Sequence, residues 1–253
     1  MKVVALADIH SGDSYGLADP ANVPKKKPGH AFAAVLFDWY KEQIKRIGAI
    51  DALLCAGELT EGPGNAETIE LWSTDMEEQA EACADLLCMW PCNVFHLCYS
   101  TPFHASGQLR SDNLVVKALK ARRKTADIRA HQRRRLGGVP IDVFHYVGGS
   151  ATPYGFASQL MKAGVTDAVR GLYRGYQPAK LYLRGHTHVY GFAGNDMLTV
   201  INLPSLKWPL GAYGLRIDRA YYAMGLTDLE FADGVFDWNT EILRYKLPEE
   251  RYA

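Results

Sequence analysis

The sequence of 253 residues predicts an α/β domain, and three observations support this prediction. Short apolar runs rich in β-branched residues are typical of strands buried on both faces of a sheet. Segments with the apolar periodicity of amphipathic helices lie between these runs. Side chains that can bind a metal ion stand at or near the ends of the predicted strands. Because the sequence has no internal repeat and no clear linker, we expect one domain over residues 1–253.

Five apolar runs are the predicted buried strands. They cover residues 3–7, 51–56, 93–98, 141–147 and 181–183. The predicted helices cover residues 31–47, 67–90, 156–161 and 165–176. In the first helix, Phe32, Leu36 and Trp39 share one face, and Gly48 marks its end. The last helix is the predicted crossover into the strand that precedes His186.

The segment after His188 changes in character. It contains short alternating or aromatic-rich runs separated by tight turns, which are typical of antiparallel sheet. These runs are residues 197–202, 213–217, 221–226, 227–231 and 235–245. We therefore expect the C-terminal part of the chain to form antiparallel strands.

Composition narrows the classes of function and location. The formal net charge is zero, so overall charge does not indicate a nucleic-acid or anionic-membrane partner. The five cysteines form no Cys-x-x-Cys pair, and most lie in apolar runs, which is typical of buried thiols in a reducing compartment. The sequence shows neither a signal-peptide pattern nor an apolar run of the ~20 residues that span a bilayer. We expect a cytoplasmic protein, in the host cytoplasm if its source is viral, with no membrane partner.

Two pairs of metal-capable side chains follow predicted strands at a spacing of two residues. Asp8 and His10 follow the first strand, and His186 and His188 follow the last. Because alternate side chains of an extended chain point to the same side, each pair can converge on one point. The other metal-capable groups near strand ends are Glu58, Thr101, His104 and His145. Ligands of α/β sheets bind beyond the carboxyl ends of the strands, so these groups predict a single site.

The chemistry of this donor set indicates a pair of metal ions. Mixed imidazole and carboxylate ligands suit Mn, Fe or Zn better than Mg or Ca alone. About seven ligands exceed what one ion uses, which predicts two ions that share a carboxylate. The alternative for any single residue is plain packing, and His145 taken alone fits a hydrogen-bonded core histidine. The loop over residues 11–30 leaves the same strand end as Asp8, so it either borders the site or is a solvated surface loop.

Residues 114–135 form the strongly basic part of the chain. They include nine Lys or Arg residues, and Asp127 is the one acid among them. The segment begins with helical spacing, and a solvated helix face is one interpretation. The other is a surface that binds DNA or RNA phosphates, because clustered cations gain free energy from counterion release. On that interpretation, Arg133, Arg134 and Arg135 are candidate substrate-binding residues. No aromatic residues interleave with this segment, so it does not predict a base-stacking platform.

The motifs resemble those of the calcineurin-like metallophosphoesterases in order and in spacing. They are Asp8-Ile-His10, Gly57-Glu-Leu-Thr-Glu61, Ser100-Thr-Pro-Phe-His104, His145 and Gly185-His-Thr-His188. The resemblance spans nearly the whole chain. It implies a four-layer sandwich of two mixed β-sheets flanked by helices, and the antiparallel C-terminal part of the chain fits the second of these sheets. It also implies that two divalent metal ions, Mn foremost with Fe, Zn or Mg as alternatives, take part in hydrolysis of phosphate esters.

The resemblance also implies roles for individual residues. Asp8, His10, Glu58 and His188 would hold one ion, and Glu58, Thr101, His145 and His186 the other. A water molecule activated by both ions would attack phosphorus in line. His104 would be the catalytic residue, which stabilises the transition state or protonates the leaving oxygen. Glu61 would either support the ligands or be a plain loop acid.

Two positions depart from the pattern of the family. Glu58 stands where the family has aspartate, and its extra methylene requires the backbone to sit further back. Thr101 and His104 stand where the family has the Asn-His pair, and a hydroxyl is a weaker ligand than an amide carbonyl. This variant is similar to phage and bacterial members.

We therefore expect a phosphodiesterase or nuclease that acts on nucleic acid or nucleotides. The alternatives are a phosphomonoesterase, which would need no basic segment beyond the site, and a non-catalytic scaffold that keeps the fold. Retention of Asp8 and the metal-capable histidines argues against the scaffold.

Overall fold

The computed structural model describes residues 1–63, 70–102, 104, 110–150, 152–210 and 222–245. The strands are β1 Lys2–Leu6, β2 Ala52–Cys55, β3 Val94–Cys98, β4 Thr125–Arg129, β5 His131–Leu136, β6 Val139–Phe144, β7 Leu181–Arg184, β8 Gly191–Gly194, β9 Thr199–Asn202, β10 Gly225–Ala232 and β11 Val235–Ile242. The α-helices are α1 His30–Ile47, α2 Met76–Cys88, α3 Arg110–Ala121 and α4 Pro153–Tyr173. No helix in these ranges is long and apolar enough to cross a bilayer.

The strands form two mixed sheets. The first has the order β11-β10-β1-β2-β3-β4, and the second has the order β5-β6-β7-β9-β8. In the first sheet, β1 to β4 are parallel and β10 and β11 are antiparallel to their neighbours. In the second sheet, β6, β7 and β9 are parallel, and β5 and β8 lie antiparallel at the two edges. The carboxyl ends of the parallel strands therefore lie together at one end of each sheet, where they can carry a binding site.

Alternation along the strands explains the layers, because successive side chains point to opposite faces of a sheet. One face of each sheet meets the other in a buried apolar layer that includes Ala5, Leu54, Val143 and Leu183. The other face of the first sheet packs against α1, α2 and α3, and that of the second packs against α4. This confirms the predicted four-layer α/β sandwich.

Helix α2 is shorter than the predicted helix over residues 67–90. It begins at Met76 because the side chain of Asp75 caps it and accepts a 2.7 Å hydrogen bond from the Glu77 amide. Residues 64–69 lie outside the described residues. The predicted helices at 156–161 and 165–176 are one continuous helix, α4, from Pro153 to Tyr173.

The basic segment and the C-terminal strands differ from their predictions. Helix α3 ends at Ala121, and most of the remaining residues up to 135 form β4 and β5. Because these strands contain many cations, they lack the apolar alternation that would have predicted them. The C-terminal strands are divided between the sheets instead of forming the second one, and β9 is parallel to β7, so the prediction of antiparallel strands is wrong for β9. β8 and β9 join the second sheet, whereas β10 pairs with β1 in the first, with Lys2 opposite Glu230. The predicted strand over residues 213–217 lies outside the described residues.

A buried ionic cluster lies between the second sheet and α4. Asp142 accepts hydrogen bonds from Arg133 Nε at 3.0 Å and His131 Nδ1 at 3.2 Å, and forms an ion pair with Arg184 Nη2 at 3.0 Å. Arg184 is fully buried and also donates to Asp167 of α4 at 2.7 Å. Burial opposes ionisation of Asp142, but His131 and the two arginines lower its pKa to about 2.

We expect Asp142→Asn to lower the free energy of unfolding at pH 7 by about 3 kcal/mol, because it leaves buried cations underpaired. Because the folded-state pKa of Asp142 is depressed, its contribution is present above the unfolded pKa near 4 and is lost as pH falls towards 2. Urea unfolding at pH 7, 4 and 2.5 should therefore show the difference shrinking with acidity. Asp196→Asn, at an exposed turn, is the control. A difference independent of pH would contradict this account.

Candidate metal centre

The predicted metal-capable residues all lie beyond the carboxyl ends of strands, in both sheets. Asp8 and His10 follow β1, Glu58 follows β2, and His145 follows β6. The remaining residues follow β3 and β7: Thr101, His104, His186 and His188. The side chains of these eight residues come together in one cluster, as the strand-end argument predicts.

One group in this cluster consists of Asp8, His10, Glu58 and His188, whose donor atoms lie within 4.8 Å of one another. His10 Nε2 is 3.0 Å from Glu58 Oε2 and 3.3 Å from His188 Nε2. His188 Nε2 is 3.6 Å from Asp8 Oδ1. Four donor atoms from three strand ends thus face a common point.

A second group consists of Glu58, His145 and His186. His145 Nε2 is 3.1 Å from Glu58 Oε1, and His186 Nδ1 is 4.0 Å from the same oxygen. Thr101 Oγ1 donates to Glu58 Oε1 at 2.9 Å, so the hydroxyl belongs to this side of the cluster. Glu58 therefore presents Oε2 to the first group and Oε1 to the second.

The backbone at these positions is strained. Asp8, His10, Glu58, His186 and His188 have φ values of 54°, 52°, 50°, 76° and 54°. This left-handed region is unfavourable for residues other than glycine, and it concentrates at functional sites. The turns are held by hydrogen bonds between neighbouring strand ends, such as His10 N to Glu58 O at 2.9 Å. The folded chain thus fixes these side chains in directions that relaxed extended backbone would not give.

Position 57, which lies next to the second group, can accept only glycine. Its φ is 99°, and an added Cβ would lie 2.8 Å from the ring of His145. The ring of His145 is also held by a 2.6 Å hydrogen bond from Nδ1 to the carbonyl of Ala56. The glycine of the motif therefore lets the second sheet place an imidazole directly against the end of β2.

His104 lies next to the two groups and is connected to them through Glu61. Its Nδ1 donates to the carbonyl of Glu61 at 3.0 Å, and its Nε2 is 3.7 Å from Glu58 Oε1. Its ring is 4.8 Å from that of His10. Burial lowers the pKa of His104, because the protonated form is desolvated. Its neutral form carries the proton on Nδ1, since a carbonyl can only accept.

The electrostatics of the cluster fit a cation. Burial raises the pKa of Asp8 to about 7, and the neighbouring charge of Glu58 adds to this. Burial opposes protonation of His10 and His145, but adjacent carboxylates raise the pKa of each to about 9. At neutral pH these raised pKa values mean that the carboxylates and imidazoles of the cluster share protons with one another. A donor set of this chemistry fits divalent ions such as Mn, Fe or Zn.

Sequence reasoning missed Lys207 and Asp13. Lys207 Nζ is 2.7 Å from Asp13 Oδ2 and 3.0 Å from Glu61 Oε2. Glu61 Oε2 in turn accepts a 2.6 Å hydrogen bond from His10 Nδ1. Burial opposes the charge of Lys207, yet the two carboxylates raise its pKa above the ordinary value. No local pattern marks Lys207, because both partners are distant in sequence, whereas Glu61 lies within a recognisable motif.

Replacing Lys207 by Met should reduce the free energy of unfolding by about 3–5 kcal/mol, because two buried carboxylates would lose their cation. It should also weaken metal binding about 10- to 100-fold, since Glu61 would no longer be held in place behind His10. Urea unfolding and metal titration measure the two effects. Lys180→Met, at an exposed position before β7, is the matched control. Unchanged stability would contradict the role of Lys207 as a buried counter-ion.

The candidate substrate-binding arginines lie apart from the cluster, on the edge strand β5. Arg133 pairs with Asp142 and stacks on Tyr176 with its guanidinium carbon 4.5 Å from the ring centre. Arg134 pairs with Asp127, and Arg135 Nη1 donates to the carbonyl of Gly138 at 2.8 Å. Each of the three arginines therefore has a partner within the protein, and that of Arg134 lies on β4 of the other sheet. Their role in substrate binding stays a prediction.

The loop over residues 11–30 combines the two interpretations that its sequence left open. Residues 11–18 are buried, and Asp13 of this part contacts Lys207 beside the cluster. Residues 24–26 are exposed to solvent. The first part of the loop therefore borders the site, and the second lies on the surface.

Comparison with known proteins finds structural likeness at low sequence identity. No family model and no curated protein matches the chain. An archaeal phosphodiesterase matches with a TM-score of 0.49 and 10% identity, over 95% of this chain and 100% of that one. Vps29 from Entamoeba histolytica, complexed with zinc, matches with a TM-score of 0.45 and 14% identity, over 96% and 99%. A hypothetical protein from Pyrococcus horikoshii matches with a TM-score of 0.46 and 12% identity, over 97% and 88%.

The architecture and the motifs of the chain itself carry the assignment of its fold. Two mixed sheets pack face to face with helices on both outer faces. The motif residues, far apart in sequence, gather at the carboxyl ends of the strands. This is the arrangement that the resemblance to the calcineurin-like metallophosphoesterases implies.

Proposed function

We propose that the protein is a phosphodiesterase that uses two divalent metal ions and acts on nucleotides or nucleic acid. The observation that carries this proposal is the position of Glu58, which is itself buried and presents one carboxylate oxygen to each of two groups of donors. A carboxylate shared in this way is what a pair of metal ions requires. Asp8, His10 and His188 complete one group, and the other is completed by Thr101, His145 and His186.

The bound ions would supply positive charge that makes a water molecule more acidic and that neutralises the phosphoryl oxygens. Mixed imidazole and carboxylate donors are compatible with Mn, the proposed metal, and with Fe, Zn or Mg as alternatives.

The chain itself fixes the tautomers of two proposed ligands. His10 donates from Nδ1 to Glu61, and His145 donates from Nδ1 to the carbonyl of Ala56, both at 2.6 Å. In each neutral imidazole the lone pair is then on Nε2, the atom directed at Glu58. Hydrogen bonds of this kind orient the histidine ligands of metal sites and increase their basicity. These contacts support metal ligation better than the alternative of core histidines.

His104 is the proposed catalytic residue. Its Nδ1 is engaged by the carbonyl of Glu61, so Nε2 is the atom that can exchange a proton with a substrate oxygen. Its place against His10 and Glu58 sets Nε2 beside the cluster. A substrate phosphate held there would be within reach of the ring.

The first test of the proposal compares bis-p-nitrophenyl phosphate with p-nitrophenyl phosphate after EDTA treatment and re-addition of Mn. We expect Mn-dependent cleavage of the diester that is lost in His188→Ala and retained in His30→Ala, whose ring bonds the carbonyl of Val23 and belongs to neither group of donors. Cleavage of the monoester alone would replace the proposal with a phosphatase. Absence of activity despite two bound ions would favour the non-catalytic scaffold.

A further inference from the structure

Two tyrosines contact histidines of the metal-capable cluster. The ring centre of Tyr146 is 4.9 Å from that of His186, at an interplanar angle of 39°. The ring centre of Tyr222 is 5.9 Å from that of His188. His186 belongs to the group with His145, and His188 belongs to the group with His10. An aromatic ring therefore stands beside each of the two groups.

Tyr146 combines solvent exposure with a fixed position. The residue is 55% exposed, although it directly follows His145, which is only 3% exposed. The hydrogen bond from His145 to Ala56 and its contact with Glu58 hold the backbone at this point. Single exposed aromatic residues are common on protein surfaces. Among the exposed aromatic residues that the structure describes, Tyr146 differs because its ring contacts a histidine of the cluster.

The side of the cluster next to Tyr146 is also the more open side. The side chain of His186 is 34% exposed, compared with 16% for His188 and 2% for His10. A substrate phosphate bound from solvent would therefore contact His186 most readily, and a substituent on that phosphate would have the neighbouring tyrosine ring within reach.

This inference rests on the proposed function and deepens it. We propose that Tyr146 forms a stacking subsite for a nucleobase carried by the phosphodiester substrate. A phenol ring offers a base an apolar face without charge, and stacking of this kind accepts any base because every base has a π-face. The basic segment need not supply recognition, since Arg133 is paired with Asp142 and Arg134 with Asp127. The ring, rather than that segment, would distinguish nucleotide esters from simple alkyl esters.

The binding test compares thymidine 5′-monophosphate with inorganic phosphate by calorimetry on the Mn-loaded protein. We expect Tyr146→Ala to weaken nucleotide binding about tenfold and to leave phosphate binding unchanged. Tyr146→Phe should retain the wild-type affinity, because stacking needs the ring and not the hydroxyl. Tyr173→Ala removes a ring that is 90% exposed at the end of α4 and is the matched control.

The kinetic test uses two diesters with the same leaving group, thymidine 5′-p-nitrophenyl phosphate and ethyl p-nitrophenyl phosphate. We expect Tyr146→Ala to raise KM for the thymidine ester about tenfold, with kcat nearly unchanged, and to leave both constants for the ethyl ester as they were. Equal losses on both substrates would overturn the subsite, because they would show that Tyr146 only supports His186.

The two tests separate the subsite from the proposed function. Hydrolysis of both esters with no preference for thymidine would overturn the subsite and leave the phosphodiesterase standing. Failure to hydrolyse either ester, together with nucleotide binding that depends on Tyr146, would overturn the phosphodiesterase and support the subsite. Wild-type protein that binds the nucleotide no better than phosphate would overturn the subsite whatever its activity.

Discussion

The Glu58→Asp variant should lose at least one of the two proposed metal ions and about a hundredfold or more in diester turnover. This is expected even though aspartate is the usual residue of the family at this position. Glu58 Oε2 is 3.0 Å from His10 Nε2, and Oε1 is 3.1 Å from His145 Nε2. Removing one methylene withdraws the carboxylate by about 1.5 Å, the length of one C–C bond. A shorter side chain on this backbone cannot keep both contacts.

Metal content by mass spectrometry and turnover of bis-p-nitrophenyl phosphate measure the two losses. Glu230→Asp makes the same chemical change at an exposed position of β10 and is the control. A Glu58→Asp protein with two ions and full activity would show that the backbone moves to accommodate aspartate, and that Glu58 is not required to bridge the groups.

The His104→Ala variant should lose about 10²- to 10⁴-fold in turnover while its metal content stays the same, the range typical for removal of a general acid or base. His104 contacts Glu61 and lies beside Glu58, but it is absent from both groups that share Glu58. The KM for the diester should change less than kcat, because the imidazole acts mainly on the transition state.

Metal content and steady-state kinetics of the same preparation decide this prediction. His96→Ala is the control, since His96 pairs with Asp127 between β3 and β4 instead of joining the cluster. Loss of metal in His104→Ala would instead make His104 a ligand. That outcome is compatible with the structure, because the donor atoms of His10, Glu61 and His104 also lie within 4.8 Å of one another.

The positions of the metal-capable residues at strand ends could be predicted from the sequence, because the patterns that indicate them are local. An apolar run followed by metal-capable residues places Asp8, His10, Glu58 and His145 at strand ends without knowledge of the partners of each strand. The two sheets then bring those ends together, as the resemblance implied. The division of the C-terminal strands was not readable, since pairing of β10 with β1 joins residues at opposite ends of the chain.

Residues whose partners are distant in sequence account for what was missed at the site. Lys207 lies 146 positions from Glu61, and nothing in its own neighbourhood indicates a buried cation. The strands β4 and β5 were missed for a different reason. Their cations pair with acids on other strands, as Arg133 of β5 does with Asp142 of β6, so these strands lack the apolar alternation that normally indicates a strand.

The strained turns at the strand ends have a consequence for the lifetime of the protein in the cell. Each left-handed residue other than glycine costs about 1–3 kcal/mol, and five of them lie in the cluster. A typical domain has a net stability of only about 5–15 kcal/mol, so this cost is a large share. A ligand that binds only the folded state shifts that balance by mass action. With the proposed ions bound, the supply of metal would set how often the chain opens to cellular proteases, and thus its abundance as well as its activity.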